Sequence, residues 1–321
     1  MSSSDPRIRR RVTSADVAKA AGVSRATVSY VLNATSGQSI SEVTAEKVRA
    51  AAKALDYAPS ASARALRSGQ SNVVLALLMD WDLGPTFPQV FARLSATLTE
   101  HGYTLLMRSL DNKPETISEL LKFVSPSLVL TLAPLPERQL AMLKATGVRV
   151  VSVDLWSLLS EAGWRQADYL AGTGHERIGY LVPGHHVPDE LTAPRIEGIR
   201  AACAERGLPA PKILRMDYSD AGLATLHEKW LDLADSVTGI CAHTDEVAAF
   251  LASKESDLRE RGIGLVGMSN RPIANIGLTT VEVNIEAWAT LFAEEALAAL
   301  EDREPALATG DTTFVVVRES A

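Results

Sequence analysis

Between Asn72 and Asp154 short apolar runs alternate with longer amphipathic ones, and this alternation narrows the possible folds more than any other feature of the chain. "NVVLALLMD", "TLLMRSL", "LVLTLA" and "RVVSVD" have the length and branching of buried strands. "FPQVFARLSATLTEHGY", "PETISELLKFVS" and "PERQLAMLKATGV" separate them with helical spacing. Strands that alternate with helices predict a parallel sheet with helical crossovers. The pattern restarts in "GWRQADYLAGTGHERIGYLVPG". It continues through "PRIEGIRAACAERG", "VTGICAH" and "IGLVGMS" to "LTTVEVNIEAWATLFAEEALAAL". Two doubly wound parallel-sheet subdomains are expected, with any ligand held in a cleft at the carboxyl ends of their strands.

The first seventy residues have a different character. Residues 1–69 carry a net charge of +6 and the rest of the 321-residue chain −13. A small basic module on an acidic body suits a nucleic-acid partner, because neutralising phosphates supplies much of such affinity. No apolar run reaches the roughly 18 residues of a membrane span. The amino terminus, "MSSSDPRIRRRV", lacks the apolar centre of a secretory signal. A cytoplasmic protein with no membrane contact is expected. Cys203 and Cys241 stand singly in apolar surroundings, as small buried hydrophobes do.

Local signals within the basic module are dense. Thr13 and Asp16 have capping-box spacing, Val17, Ala18 and Ala21 form one apolar stripe, and Gly22 supplies a helix stop. A second helix follows Ser24, with Val28, Val31 and Leu32 on one side and Arg25, Ala26, Ser29 and Tyr30 on the other. Two short helices joined by a tight turn form the helix-turn-helix plan, whose second helix enters the major groove.

"VTSADVAKAAGVSRATVSYVLN" and "SEVTAEKVRAAAKALDYAPSASARALRSGQSN" together resemble the head of a lactose-repressor/galactose-repressor (LacI/GalR) family transcriptional regulator, nearly position for position from Val12 to Asn72. The resemblance takes in a third helix from Ser41 to about Leu55, the Tyr57-Ala58-Pro59 exit and the segment beyond. It implies an all-α helix-turn-helix head over 12–58, a hinge over 59–71, and a periplasmic-binding-protein-like effector and dimerisation core over 72–321. One departure is the loop "NATSGQSIS", a residue or two longer than in the family's shorter members.

The resemblance assigns base reading to Arg25, Ala26 and Tyr30. Arg25 is the strongest of them, since a guanidinium can bond guanine O6 and N7 together. Thr13, Ser24, Thr27, Ser29 and Asn33 carry short polar groups suited to phosphates, which position without specifying. The segment "PSASARALRSG" could form a helix, but a lone helix of this length is marginal in water and needs a partner to fold. In the resembling family such hinges fold in pairs on DNA and drive a leucine into the minor groove; here that residue is Leu66, between Arg64 and Arg67.

In the body, Arg195 of "RIEG" matches the arginine the family aims at its effector. Thr244 and Asp245 match an Asn-Asp pair, and Tyr218 stands where an aromatic wall is common. Two departures carry more information: Ser269 replaces a usual aspartate, and apolar Leu132 stands where a polar residue is common. Both argue against an ordinary sugar, whose hydroxyls would be left unpaired. Trp81 and Phe87 are candidates for the mouth of the cleft. "VDLWSLLSEAG" is short for the family, so a compact crossing between subdomains is expected, with no role evident for Asp154.

"GHHVPDE" offers His185, His186 and Glu190, but not at the spacing of a helical ligand pair, and no metal site is expected. No cofactor is implied, and no nucleophile–base pair, phosphate-binding loop or metal cluster points to an enzyme. The expected function is a sequence-specific DNA-binding transcriptional regulator. It would be a repressor that binds a palindromic double-stranded operator as a homodimer and is released by a small-molecule effector. A dimer suffices, since "FVVVRESA" ends the chain without the heptads of a tetramer-forming tail. Alternatives are a small-molecule receptor without a transcriptional role, or a regulator that is effector-independent or co-repressed.

Overall fold

The structure, a computed structural model, describes residues 12–32, 40–57, 71–79, 84, 86–110, 114–183, 189–216, 235–255, 257–306 and 310–321. The chain divides into two compact units, Met1–Asn72 and Val73–Ala321.

The first unit is helical: α1 (Ser14–Ala21), α2 (Arg25–Leu32) and α3 (Glu42–Ala54). Its capping box closes through Asp16, whose Oδ2 accepts the Thr13 N–H at 2.8 Å and the Thr13 hydroxyl at 2.7 Å. Gly22 ends α1 in the left-handed region, φ 67°, where a side chain would be strained. Ser24 caps α2, its Oγ accepting the Thr27 N–H at 3.0 Å. Ser41 caps α3 by the same contact to Thr44 at 3.3 Å. Val17, Ala18, Val28, Val48 and Ala52 form the small core these helices share, with Val31, Leu32 and Tyr57 packed at its margin.

The second unit contains two sheets. Strands β1 (Val73–Met79), β2 (Thr104–Leu110), β3 (Leu128–Thr131) and β4 (Arg149–Ser152) form the first, parallel throughout in the order β2-β1-β3-β4. Their connecting helices are α4 (Thr86–Glu100), α5 (Pro114–Phe123) and α6 (Glu137–Ala145). Both faces are covered, so strand residues alternate between two cores. Val74, Ala76, Leu128 and Leu130 pack with Leu94 of α4, and Leu75, Leu77 and Val129 with Ile117 of α5 and Leu143 of α6.

The second sheet has the order β10-β9-β8-β7-β5-β6, built from β5 (Ile178–Pro183), β6 (Lys212–Met216), β7 (Gly239–Ala242), β8 (Gly264–Met268), β9 (Thr279–Val283) and β10 (Thr313–Val316). Only β10 runs antiparallel to its neighbour. Around this sheet lie α7 (Leu155–Gly172), α8 (Asp189–Glu205) and α9 (Asp245–Lys254), while a 3-10 turn (Pro272–Ile276) precedes β9. After β9 the chain returns to the first sheet as α10 (Ile285–Glu301), which packs on α4, β3 and β4, and then crosses back to supply β10. One apolar cluster accordingly includes side chains of both sheets, among them Val74, Leu130, Tyr180, Val266 and Trp288.

"VDLWSLLSEAG" is where the chain differs most from its expected layout. A helix starts immediately after β4, capped by Asp154, whose carboxylate accepts the Ser157 N–H at 3.0 Å and the Ser157 hydroxyl at 2.5 Å. Those bonds hold the Asp154 carboxyl below its ordinary pKa. The crossing is the cap and first half of α7, eight residues ahead of the restart expected at Gly163. Helices α7 and α8 approach so closely that glycine is required at two positions. A Cβ at Gly198 would collide with the Ser160 carbonyl oxygen, and one at Gly163 with that of Arg195.

Candidate DNA-reading and ligand-binding sites

The first candidate site is the outer face of α2. Val28 is buried while Ser24, Arg25 and Ala26 are exposed, so the apolar stripe that fixes the helix also dictates which side chains face outward. Thr27, Ser29 and Tyr30 are half-buried along the same helix, and Thr13 is exposed at the start of α1. Thr27 and Ser24 share a hydroxyl contact of 2.9 Å, which orients both without burying them. The exposed Arg25 guanidinium at the first turn and the Tyr30 ring farther along the helix are groups that can reach base edges. Asn33 and Leu66 lie outside the described residues.

The second candidate site is the carboxyl edge of the second sheet. Parallel β7 and β8 end side by side, so His243, Thr244 and Asp245 after β7 share an edge with Ser269 after β8. α8 brings Arg195 to His243, its Nη1 donating to the His243 carbonyl at 2.5 Å. Thr244 caps α9 by accepting the Val247 N–H at 3.3 Å. Asp245 is wholly buried; Oδ1 accepts the Thr280 hydroxyl and Oδ2 the Arg271 N–H, each at 2.6 Å. Burial raises its pKa to about 6 against the opposing effect of those bonds. Ser269 has φ 90°, uncommon for a residue with a side chain, and its N–H bonds the Val281 carbonyl at 2.7 Å. Tyr218 and Trp81 lie outside the described residues, as do His185 and His186. Phe87 is buried against Trp288, ring centroids 5.7 Å apart, and Leu132 is buried as well.

Three residues that sequence reasoning passed over organise this edge. Tyr180 of β5 and His243 join through a 2.6 Å contact between the Tyr180 hydroxyl and His243 Nδ1. Burial pushes the Tyr180 phenol up to about 12 and holds the His243 imidazole well below its ordinary value, with the Arg195 charge adding to the latter. Gln166 of α7 reaches beneath the edge, its Nε2 donating to the carbonyls of Ala242, Val266 and Gly267 at 2.9, 3.1 and 2.9 Å. A lone glutamine among apolar helical positions was the only signal for it. His175 of "GHERIGYL" packs instead at the opposite end of β7 and β8, in space left by Gly239 and Gly264. Among the described residues no group of three or more His, Cys, Asp or Glu side chains is placed to hold a metal ion.

Comparison with known proteins gives matches in both parts of the chain. Residues 13–60 match the family described as "Bacterial regulatory proteins, lacI family", and residues 167–321 match "Periplasmic binding protein-like domain". The HTH-type transcriptional repressor PurR of Aliivibrio salmonicida is 29% identical over 308 residues, covering 84% of this chain and 90% of the relative. The ribose operon repressor of Escherichia coli (strain K12) is 30% identical over 217 residues, 62% of this chain and 63% of the relative. In fold, the chain resembles the lac repressor dimer solved bound to operator and the anti-inducer ONPF. The TM-score is 0.74 and the identity 19%, over 97% of this chain and 99% of that one. The chain thus carries a head that matches the lacI family of bacterial regulatory proteins and a body that matches periplasmic binding proteins, and along most of its length it is similar to transcriptional repressors of that plan.

Proposed function

We propose that the protein is a repressor that binds a twofold-symmetric operator as a homodimer, and that a small molecule at the carboxyl edge of the second sheet sets its affinity for DNA. The observation that carries this is the face of α2, where the packing of Val28 leaves Arg25 and Ala26 exposed on the first turn. Arg25 reads a guanine, Ala26 touches a thymine methyl and Tyr30 adds a stacking or hydroxyl contact, while Thr13, Ser24, Thr27 and Ser29 hold phosphates. Asn33 joins the phosphate contacts and Leu66 wedges the minor groove. The related lac repressor was solved as an operator-bound dimer. A symmetric dimer requires symmetric half-sites.

In the body, Arg195, Thr244, Asp245 and Ser269 hold the effector, with Tyr218 and Trp81 as its aromatic walls. Leu132, apolar and buried, argues against a ligand that presents hydroxyls on every side. The ligand acts only through its differential affinity for the DNA-binding and released states, and release on binding is the expected sign. The hinge expected over 59–71 lies almost wholly outside the described residues; if its segments fold only in pairs, as the resemblance implies, separating them gives the physical route, because it removes the order that DNA binding requires. The body begins near residue 72, after the hinge, and the protein works in the cytoplasm. Among the described residues no helix is long and apolar enough to cross a membrane.

A gel shift with the DNA upstream of the protein's own gene, paired with sedimentation, tests the proposal. A retarded complex of two chains per site, protected over two symmetric half-sites, is the expected result. In footprints Arg25→Ala costs about 1–3 kcal/mol per half-site. A monomeric complex, or binding that ignores sequence, contradicts the proposal.

A further inference from the structure

Arg195 is only 7% exposed, yet among the described residues no carboxylate pairs with it. None of the ion pairs among the described residues includes it; its guanidinium donates from Nη1 to the uncharged His243 carbonyl and lies against the Tyr180 hydroxyl. Nε is fully enclosed and has no partner at all. Two groups whose electrostatics it influences, the Tyr180 phenol and the His243 imidazole, are neutral. Burial disfavours the charged form of each, so neither can balance a cation. Asp245, the buried carboxyl on the same edge, is engaged by Thr280 and the Arg271 backbone instead. Ser269 brings no charge. A buried guanidinium with no anion is costly unless something else pairs with it. Its planar fork matches the two oxygens of a carboxylate or phosphate.

We propose that the effector of this site is an anion, a small carboxylate or phosphorylated compound whose oxygens pair with the Arg195 guanidinium above the neutral Tyr180–His243 pair. The proposal rests on the placing of the effector at the second sheet's edge, and it adds the ligand's chemical class. Binding draws the guanidinium from the His243 carbonyl toward the ligand, so the position of α8 relative to the end of β7 becomes sensitive to occupancy.

The test is thermal unfolding of the full chain titrated with sodium phosphate, sodium succinate or glucose, at ionic strength held constant with sodium chloride. Wild type, Arg195→Met and Arg195→Lys are compared. The expected result is a saturable rise in Tm of wild type with phosphate or succinate, whichever source the site is built for. The rise is absent in Arg195→Met and needs about tenfold more ligand in Arg195→Lys, which keeps the charge without the fork. General salt effects appear equally in all three proteins and cancel. With no ligand, Arg195→Met should melt no lower than wild type, since it removes an unbalanced buried charge.

If neither anion stabilises wild type more than Arg195→Met, the proposal is overturned. An Arg195-dependent rise with glucose alone overturns the anionic class while leaving the effector site in place. Operator affinity of unliganded wild type reports separately on the regulator proposal: loss of DNA binding there defeats that proposal and not this one.

Discussion

Arg25 and Arg195 are the same side chain in opposite circumstances. Arg25 begins a helix whose apolar stripe faces the small head core, so the guanidinium stands in water, where its charge costs nothing and is available to a partner. Arg195 lies on a helix pressed against α7 by Gly163 and Gly198, so its charge is enclosed before any ligand arrives. An exposed arginine says little about what the fold needs. An enclosed one without a counter-ion says that the fold alone does not complete its environment. In the proposed function the head recognises with groups that packing leaves outside, and the body with groups that packing has already desolvated.

The comparison breaks most severely at the helix contact. Gly198→Ala places a methyl group against the Ser160 carbonyl, and neither backbone can yield without separating α7 from α8. A loss of about 3 kcal/mol or more is expected in urea unfolding of the body. A variant with wild-type stability would show that the two helices are not so closely packed.

Next in size is a pH effect on the enclosed side. Asp245 has a pKa of about 6 in the fold against an ordinary 3.8, so the folded state holds its proton more tightly than the unfolded one. The associated stability is fully present below pH about 3.8 and is lost as pH rises through about 6, up to about 3 kcal/mol. His243 acts in the other direction, its neutral form costing stability as pH falls below 6.5. The quantity to measure is accordingly the difference between wild type and Asp245→Asn. Wild type should gain relative to the variant between pH 7 and pH 4.5; a difference that stays constant rules out a raised Asp245 pKa.

The smallest effect belongs to the exposed side. Ser24→Ala removes the acceptor that holds the Thr27 N–H and should cost the head about 1 kcal/mol. Thermal unfolding followed on the head's helical signal reads it, and no change would mean that water replaces the cap fully.

The same contrast governs what could be read from the chain. The head was legible because its instructions are local: Thr13 and Asp16, Gly22, Ser24 and Ser41 each act within three or four residues, and the structure places the helix ends beside them. Strand and helix alternation was equally legible, since Val74 and Leu75 face opposite cores in the manner of any strand covered on both sides. The edge of the second sheet was legible only in part. Arg195, Thr244 and Asp245 were marked by motif, but Tyr180, His243 and Gln166 act across separations of 48 to 101 residues, and nothing local announces such a contact. The start of α7 was obscured for another reason: "DLWSLLSEAG" follows a strand without a turn residue, and only the Asp154 cap marks the change. β10 joins the second sheet antiparallel after α10 has packed on the first, a return that no repeat of the earlier pattern foretells.

The central claim is that this chain reads a symmetric DNA sequence through the exposed face of α2, and the most direct test is selection of bound sites from a pool of randomised duplexes by wild type and Arg25→Ala. Wild type should enrich a twofold-symmetric sequence with a guanine fixed at one position of each half-site, and the variant should enrich the same sequence with that position relaxed. Identical selected sequences, or no symmetric sequence from wild type, would contradict the account.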